Sequence, residues 1–173
     1  CIIDPKEIKQ EDKRHEYGNI FWQKRKRKGI TQFEARKLMR ERNYYGSMMV
    51  EMGDADALIS GITRNYRATI KPALEVIGRE DGVSKVAGMY IMRTKKGTLF
   101  LADTTINLDP TAEEIADMSI MIAKKVKQFR IKPRVALLSY SNFGSTRTKD
   151  SEKMAKAAAI LKEENPNLVV DGE

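Results

Sequence analysis

The sequence predicts an α/β fold, with three α/β/α layers built around a mainly parallel sheet and one added β-hairpin. Two patterns lead to this prediction. Short apolar segments typical of buried strands alternate with longer segments of helical spacing, which favours parallel strands covered by helices on both faces. In the second half of the chain, "VAGMYIMRT" and "TLFLADTTI" are joined by the short link "KKG", which indicates a hairpin.

The first elements are predicted to be helices. A polar helix covers residues 10–28, and Gly29 supplies a left-handed cap at its end. A second helix is predicted over residues 31–43, because Thr31 and Glu34 form a capping box beside an apolar face. The apolar stretch "SMMVEMG" extends this helical region.

The stretch "ADALISG" is predicted to be a buried strand, and "TIKPALEVIG" is predicted to be the helix that follows it. Thr69 is the expected N-cap of that helix, Pro72 lies in its first turn, and Gly78 ends it. The polar segment "GREDGVS" contains two glycines and marks the predicted domain boundary. We therefore expect parts of two α/β domains, residues 1–80 and 81–173.

The elements after the hairpin keep the alternation of helix and strand. The segment "DPTAEEIADMSIMIAKKVKQF" is predicted to be a helix with a capping box of Thr111 and Glu114. A buried strand follows in "RVALLSYS", then a helix in "SEKMAKAAAILKEENP" that stops at Pro166. The last predicted strand is "LVVD".

Composition excludes several classes of protein. With 41% hydrophobic and 32% charged residues over 173 positions, the chain can form a core and is not a disordered tail. No apolar run approaches the roughly 20 residues of a membrane span and no signal peptide is apparent, so we expect a cytoplasmic protein. The single cysteine, Cys1, excludes an intrachain disulfide, and the single histidine, His15, is expected to be exposed.

The two ends of the sequence indicate a fragment. The chain begins with "CIIDPKEI", without an initiating methionine, and stops at "NLVVDGE", directly after a predicted strand. We therefore expect a piece of a longer polypeptide.

The net charge of +8 favours an anionic partner. The densest basic run, "QKRKRKG", could contact nucleic acid, but a helix end is the preferred interpretation, because lysine and arginine are favourable near a helix C-terminus. Phe21 and Trp22 are adjacent in sequence, so they would not form a spaced platform for stacking bases.

Two segments are candidate anion sites. In the first, Arg64, Arg67 and Lys71 surround the helix start predicted at Thr69, where backbone N–H groups and the helix dipole favour a phosphate or carboxylate. The nearby acidic residues at positions 54 and 56 could suggest a divalent metal, but caps or salt-bridge partners are the preferred interpretation. No metal site is predicted.

The second candidate segment is "SYSNFGSTR", which follows the strand in "RVALL". It offers hydroxyl groups at Ser139, Tyr140, Ser141 and Ser145, a glycine, and Arg147 beyond the C-terminal end of the strand. Ligands of open α/β sheets bind at that end. Neither segment has a Walker-type or GxGxxG spacing, so an ordinary surface loop is the alternative for each.

Five segments together resemble the phosphotransacetylase family, in the order and spacing of that family: "YYGSMMVEMGDADALISG", "TIKPALEVIG", "GTLFLADTTINLDPTAEEIAD", "PRVALLSYSNFGS" and "NLVVDGE". The resemblance covers nearly all of the chain from Tyr17 onward. Within the family, "SGITRNY" followed by "IKPALEVIGR" is closer to the phosphotransacetylase-like C-terminal part of fused NADP-dependent malic enzymes. The resemblance implies a fold like that of isocitrate and isopropylmalate dehydrogenases.

The resemblance also implies roles for individual residues. Arg25 matches an arginine that helps to hold the phosphate-bearing ligand in this family. Lys71 stands where the family has an arginine before the proline, which keeps the charge but loses the bidentate fork. Tyr66 stands where the transferases have a small hydroxyl residue, and their acyl-transfer serine, arginine and aspartate lie C-terminal to "VVDGE".

The predicted ligand site for acetyl-CoA and phosphate therefore draws on both candidate segments and on the matched arginine. Its residues are Arg25, Thr63, Arg64, Asn65, Tyr66, Lys71, Ser139, Ser141, Ser145 and Arg147. No catalytic residue, metal ligand or resident cofactor is predicted in this chain. NADP and a divalent metal would belong to the N-terminal part of a malic enzyme.

Two hypotheses of different class are left open by the sequence. In the first, the chain is a regulatory, oligomer-forming domain that binds acetyl-CoA as an allosteric inhibitor beside a malic enzyme catalytic domain in the same polypeptide. In the second, it is a fragment of an active phosphate acetyltransferase. The family implies a homodimer, with an interface expected around Val86–Asp103 or the helices Thr111–Phe129 and Ser151–Glu164.

Overall fold

The computed structural model describes residues 2–83 and 85–172. The sequence-based statements about Cys1 and about Ser84, the last residue of the predicted boundary, fall outside the described residues, as does Glu173. The chain divides into two compact units, Cys1–Glu80 and Asp81–Glu173. Each unit has a hydrophobic core of its own.

Unit one is helical. After the 3-10 turn Ile8–Gln10, its described residues form the helices α1 Glu11–Arg25, α2 Gln32–Leu38, α3 Arg42–Glu51 and α4 Tyr66–Val76, and a second 3-10 turn, Lys26–Lys28, follows α1. Its core is aromatic: the rings of Tyr17 and Tyr45 lie 5.1 Å apart between centroids, and those of Phe21 and Tyr44 lie 5.6 Å apart. Met39 and Met48 are fully buried beside them. These contacts fix α1 against α3.

Local signals in the sequence set the first helix ends, as predicted. Gly29 adopts a left-handed backbone with φ of 87° after the basic run, and Thr31 forms the predicted capping box with Glu34. The stretch "SMMVEMG" is helical for most of its length, within α3. The single helix predicted over residues 31–43 is wrong in one respect, because the chain breaks between Leu38 and Arg42. The break allows α2 and α3 each to contact α1.

The strand predicted in "ADALISG" is not formed. The segment pairs with no strand among the residues that the structure describes, and Ile59 is 98% exposed. A strand is stable only when a neighbouring strand satisfies its backbone groups. Leu58 instead lies against Gly46 of α3, and the hydroxyl of Ser60 donates to the side chain of Asn43 at 2.8 Å.

Helix α4 begins earlier than the sequence predicts. Asn65, not Thr69, is the N-cap, and its side chain accepts a hydrogen bond from the Ala68 N–H at 2.8 Å. Pro72 therefore lies inside the helix and leaves the carbonyl of Ala68 without its usual i+4 donor. The amide of Asn43 donates to that carbonyl at 3.4 Å, which compensates the missing bond from outside the helix.

Unit two combines two small sheets with two long helices. Its elements are the strands β1 Met89–Thr94 and β2 Gly97–Ala102, helix α5 Ala112–Gln128, strand β3 Arg134–Leu137, helix α6 Lys149–Glu164 and strand β4 Val169–Gly172. Strands β1 and β2 form the predicted antiparallel hairpin, and β3 pairs in parallel with β4. The α/β class predicted from the sequence is therefore present, with two-stranded sheets among the described residues.

Helices α5 and α6 pack against each other and against the parallel pair. Ile115 and Met118 of α5, Leu161 of α6, Leu137 of β3 and Val170 of β4 belong to one buried cluster. The predicted capping box of Thr111 and Glu114 begins α5. Helix α6 begins at the N-cap Thr148, whose own capping box uses Ser151. No helix in the described ranges is long and apolar enough to cross a membrane.

We expect Gly172→Ala to destabilise unit two, because β3 and β4 approach closely at this residue. A Cβ added to Gly172 would lie 2.2 Å from the carbonyl oxygen of Leu137, and the backbone has φ of 143°. Backbone strain and the forced displacement together should lower the free energy of unfolding by about 2–4 kcal/mol, measured by urea denaturation.

Gly97→Ala is the matched control. Gly97 has φ of 134° in the same unit, but a Cβ there would meet nothing within 4 Å. The free energy of unfolding of Gly97→Ala should therefore fall by only about 1–2 kcal/mol, which is the cost of backbone strain alone. Equal losses for the two variants would contradict a role for the close approach.

Candidate functional site

The carboxylate of Glu75 brings two of the predicted ligand residues together. Nη2 of Arg25 donates to Glu75 Oε1 at 3.3 Å, and Nζ of Lys71 lies 3.9 Å from the same oxygen. The hydroxyl of Tyr44 donates to the second oxygen, Oε2. These four side chains, which we call the Glu75 cluster, carry two positive charges and one negative charge.

Three helices position the Glu75 cluster. Arg25 is the last residue of α1, Tyr44 lies in the first turn of α3, and Lys71 and Glu75 are one turn apart on α4. The ring of Tyr44 is buried against Phe21 of α1. The side chains of Arg25 and Glu75 are only partly exposed, at 29% and 22%, so water screens their interaction incompletely.

The phenol of Tyr44 responds to this environment. Burial raises the pKa of Tyr44 first of all, and the hydrogen bond to Glu75 raises it further, while the charge of Arg25 acts in the opposite direction. The neutral phenol is therefore the stable form in the folded chain, where it can donate to Glu75.

The loop before α4 does not gather its basic residues as the sequence predicts. Arg64 pairs with Glu41 at 3.2 Å in an exposed position, separate from the Glu75 cluster. The side chain of Asn65 caps the helix, and the Thr63 N–H donates to the Gly61 carbonyl at 2.7 Å. Since α4 begins at Tyr66, Lys71 lies in its second turn and not at the helix start, which corrects the arrangement expected around Thr69.

In the second predicted segment, after β3, serine hydroxyl groups accept hydrogen bonds from the backbone of their own loop. The Ser141 N–H donates to Ser139 Oγ at 2.9 Å, and the Asn142 N–H donates to Ser145 Oγ at 2.9 Å. The Thr146 N–H donates to Ser141 Oγ at 3.4 Å. Three of the predicted hydroxyl ligands therefore hold the backbone of the loop in shape, while Arg147 is exposed.

A cavity of about 230 Å³ lies at the C-terminal ends of β3 and β4. Ser139 and Ser141 line it on one side and Asp171 and Gly172 on the other, whereas Ser145 and Arg147 do not line it. Asp171 pairs with Lys162 at 3.2 Å, and this bond, followed by one from the Gly172 N–H, lowers the pKa of the aspartate. The carboxylate disfavours a second anion in this cavity.

A larger hollow of about 430 Å³ lies in another part of unit two. Lys124, Lys127 and Lys132 line it, but the C-terminal ends of α5 and α6 also face it. Helix C-termini carry a negative partial charge and attract lysines without any ligand. The three lysines therefore do not by themselves indicate a ligand site in this hollow.

Asp54, which directly precedes the unpaired segment "ADALISG", has a structural role. Asp54 accepts a hydrogen bond from the hydroxyl of Tyr17 and lies 3.2 Å from the ammonium of Lys13, so salt-bridge partner is the correct interpretation for this carboxylate. These bonds lower its pKa, with the Tyr17 hydroxyl as the largest cause. Among the residues described, no group of three His, Cys, Asp or Glu side chains could hold a metal ion.

Two members of the Glu75 cluster were missed from the sequence. The spacing of Lys71 and Glu75, four residues apart on one helix, is a signal that could have predicted their pairing. No local pattern connects them to Arg25 or Tyr44, because those residues lie on other helices and meet Glu75 only after packing.

Sequence comparisons find relatives along the whole described chain. A family model described as phosphate acetyl/butaryl transferase matches residues 2–173. A phosphate acetyltransferase of Synechocystis sp. is 38% identical over 171 residues, which is 99% of this chain and 24% of that protein. An NADP-dependent malic enzyme of Escherichia coli is 41% identical over 159 residues, which is 91% of this chain and 21% of that protein.

Solved structures match the same fold. A phosphotransacetylase from Streptococcus pyogenes has a TM-score of 0.80 at 36% identity, over 99% of this chain and 52% of that one. The EutD phosphotransacetylase from Staphylococcus aureus has a TM-score of 0.77 at 30% identity, with the same coverage. The predicted α/β fold class is thereby confirmed, and the chain spans about half the length of these two proteins.

Tyr44→Phe should reduce the loss of stability in alkaline solution. Because the folded pKa of Tyr44 lies above the ordinary value of 10.0, its contribution is complete below pH 10 and is lost as the pH rises through the folded pKa. Without this phenol, the free energy of unfolding should fall less steeply between about pH 9.5 and 11, measured by urea denaturation.

The pKa of Tyr17 is also raised, chiefly by burial. Tyr44→Phe should therefore reduce the alkaline loss of unfolding free energy without abolishing it. The control is Tyr140→Phe, whose ring is 91% exposed. An alkaline slope for Tyr44→Phe equal to that of the unmodified chain would show that burial of this phenol is not maintained.

Proposed function

Because the chain belongs to the phosphate acetyl/butaryl transferase family, which matches residues 2–173, we propose that it binds acetyl-CoA as a regulatory domain of an NADP-dependent malic enzyme. The resemblance to that family, including the corresponding region of malic enzymes, is confirmed by the relatives. In this proposal, acetyl-CoA is an allosteric effector of malate oxidation. NADP and a divalent metal belong to another part of the polypeptide.

The Glu75 cluster is the observation that carries the proposal. Arg25 and Lys71 come from separate helices and meet at one carboxylate, with 3.3 Å and 3.9 Å to the same oxygen. Paired cations at the edge of a helical unit suit the phosphates of a CoA ester, which form charge-assisted hydrogen bonds.

Two positions favour binding over transfer. The family resemblance places an arginine where this chain has Lys71, and a lysine holds a phosphoryl group as a point charge without the bidentate fork. It also places a small hydroxyl residue where this chain has Tyr66, which is 48% exposed. We infer that the site retains affinity for the phosphorylated ligand and has lost groups that make transfer efficient.

A fragment of an active phosphate acetyltransferase is the second candidate. The observation that favours it is the coverage of the relatives that bear this name: the Synechocystis protein aligns with 99% of this chain. A Bacillus subtilis phosphate acetyltransferase is also 40% identical over 88% of the chain, close to the value for the malic enzyme. Identity alone therefore does not separate the two parents.

Lys71→Ala should weaken acetyl-CoA binding by about tenfold or more, measured by calorimetric titration of this chain. Removing one charge-assisted bond to a phosphate forfeits about 1.5–3 kcal/mol. The matched control is Lys37→Ala, which removes an exposed lysine from α2 in the same unit. If both variants and the unmodified chain bind acetyl-CoA with equal affinity, acetyl-CoA does not bind at the Glu75 cluster.

An assay of the same samples for acetyl-CoA formation from CoA and acetyl phosphate separates the two candidates. The regulatory role predicts binding without turnover comparable to that of a phosphate acetyltransferase. Turnover at such a rate would favour the second candidate, whereas a much smaller residual rate would not, because binding and positioning alone leave weak catalysis.

We also propose that the chain forms a homodimer through the hairpin within Val86–Asp103. The cross-strand pairs Tyr90 with Leu101 and Met92 with Leu99 share one face of β1 and β2. All four side chains are at least 36% exposed, so this face is apolar and open. An apolar patch of this kind can pair with its own copy across a two-fold axis.

Leu99→Lys should convert the dimer to a monomer, measured by light scattering at micromolar concentration. The unmodified chain should give about twice the mass of 19.7 kDa, since burying the apolar face stabilises the pair. Thr98→Lys is the control, because Thr98 lies on the opposite face of β2 and is also exposed. A monomeric unmodified chain would contradict the proposal.

A further inference from the structure

Glu75 pairs with both of the cations that the proposed anion site would use. Its carboxylate accepts the hydrogen bond from Arg25 and lies 3.9 Å from the ammonium of Lys71. A phosphate that uses both cations needs the same donors, and a cation that is already paired gives up one interaction to make another. The carboxylate and the ligand therefore compete for the same two groups.

We propose that Glu75 is an internal competitor at the anion site, which occupies Arg25 and Lys71 until a phosphate displaces it. The inference rests on the proposed function, because it concerns the same site. Glu75 is held in place from behind, since the hydroxyl of Tyr44 donates to its other oxygen. Glu75 therefore lowers the affinity of the site for anions, because a ligand binds only if it interacts with the two cations more strongly than the carboxylate does.

The competitor makes the site selective by charge. With Glu75 in place, the two cations and one carboxylate leave a single net positive charge for the ligand. A monoanionic carboxylate such as acetate gains little by exchanging with a carboxylate that is already bound. A phosphate dianion interacts about twice as strongly with the same two cations at equal distance, so it can displace Glu75 where acetate cannot. The site thus favours phosphate groups over simple carboxylic acids.

Neutralising Glu75 should therefore tighten binding. Glu75→Gln retains an oxygen that accepts from Tyr44 but removes the negative charge. We expect the affinity for inorganic phosphate and for acetyl-CoA to rise by about tenfold at low ionic strength, and the preference over acetate to shrink. A loss of structure weakens binding, so a gain of affinity is a result that a merely structural role for Glu75 would not produce.

The control variant removes an equal charge elsewhere in unit one. Glu51 on α3 pairs with Lys24 of α1, and Glu51→Gln changes the net charge of the unit by the same amount. Its affinity for phosphate should stay close to that of the unmodified chain. The difference in phosphate affinity between Glu75→Gln and the unmodified chain should also shrink as the salt concentration is raised to about 1 M, because salt screens partly exposed charges.

A second variant keeps the proposal testable if Glu75→Gln does not fold. Glu75→Asp keeps the charge but withdraws it by one methylene group from Arg25, so a smaller gain in phosphate affinity is expected. Unchanged or weaker binding in a folded Glu75 variant would overturn the inference while leaving the proposed function intact. Absence of phosphate and acetyl-CoA binding in both the unmodified chain and the variants would overturn both.

Discussion

The interaction between one carboxylate and three side chains organises unit one. Glu75 on α4 receives Arg25 from the end of α1 and the hydroxyl of Tyr44 from the start of α3, and it lies one turn from Lys71 on its own helix. The side chain of Glu75 is only 22% exposed, and these donors compensate for the hydration that its carboxylate has lost. Its position therefore depends on three helices at once, and each helix is in turn oriented by it.

In α4, a side chain from another helix replaces a missing backbone hydrogen bond. Pro72 interrupts the backbone hydrogen bonds of α4, and the amide of Asn43 on α3 donates to the Ala68 carbonyl that is left over. Asn43 also accepts from Ser60 in the extended segment before α4. The side chain of Asn43 thus connects α3 to α4 and to Ser60 in the segment before α4.

The two candidate segments differ in the partners of their polar side chains. The serines after β3 accept hydrogen bonds from the backbone of their own loop, and Asp171 adds a carboxylate to the cavity beside them. Arg25 and Lys71 of unit one instead face a single carboxylate, that of Glu75. Each of these serine oxygens has already used an acceptor position within the loop, whereas paired cations can exchange one anion for another.

The sequence alone determined the features that depend on neighbours in the chain. The capping boxes at Thr31 and Thr111, the left-handed turn at Gly29, the hairpin and the helical periods follow from local patterns, as does the α/β class. Only the tertiary structure decided the rest. The unpaired path of "ADALISG" and the meeting of Arg25, Tyr44 and Glu75 depend on groups 17 to 50 residues apart, which no local spacing can specify.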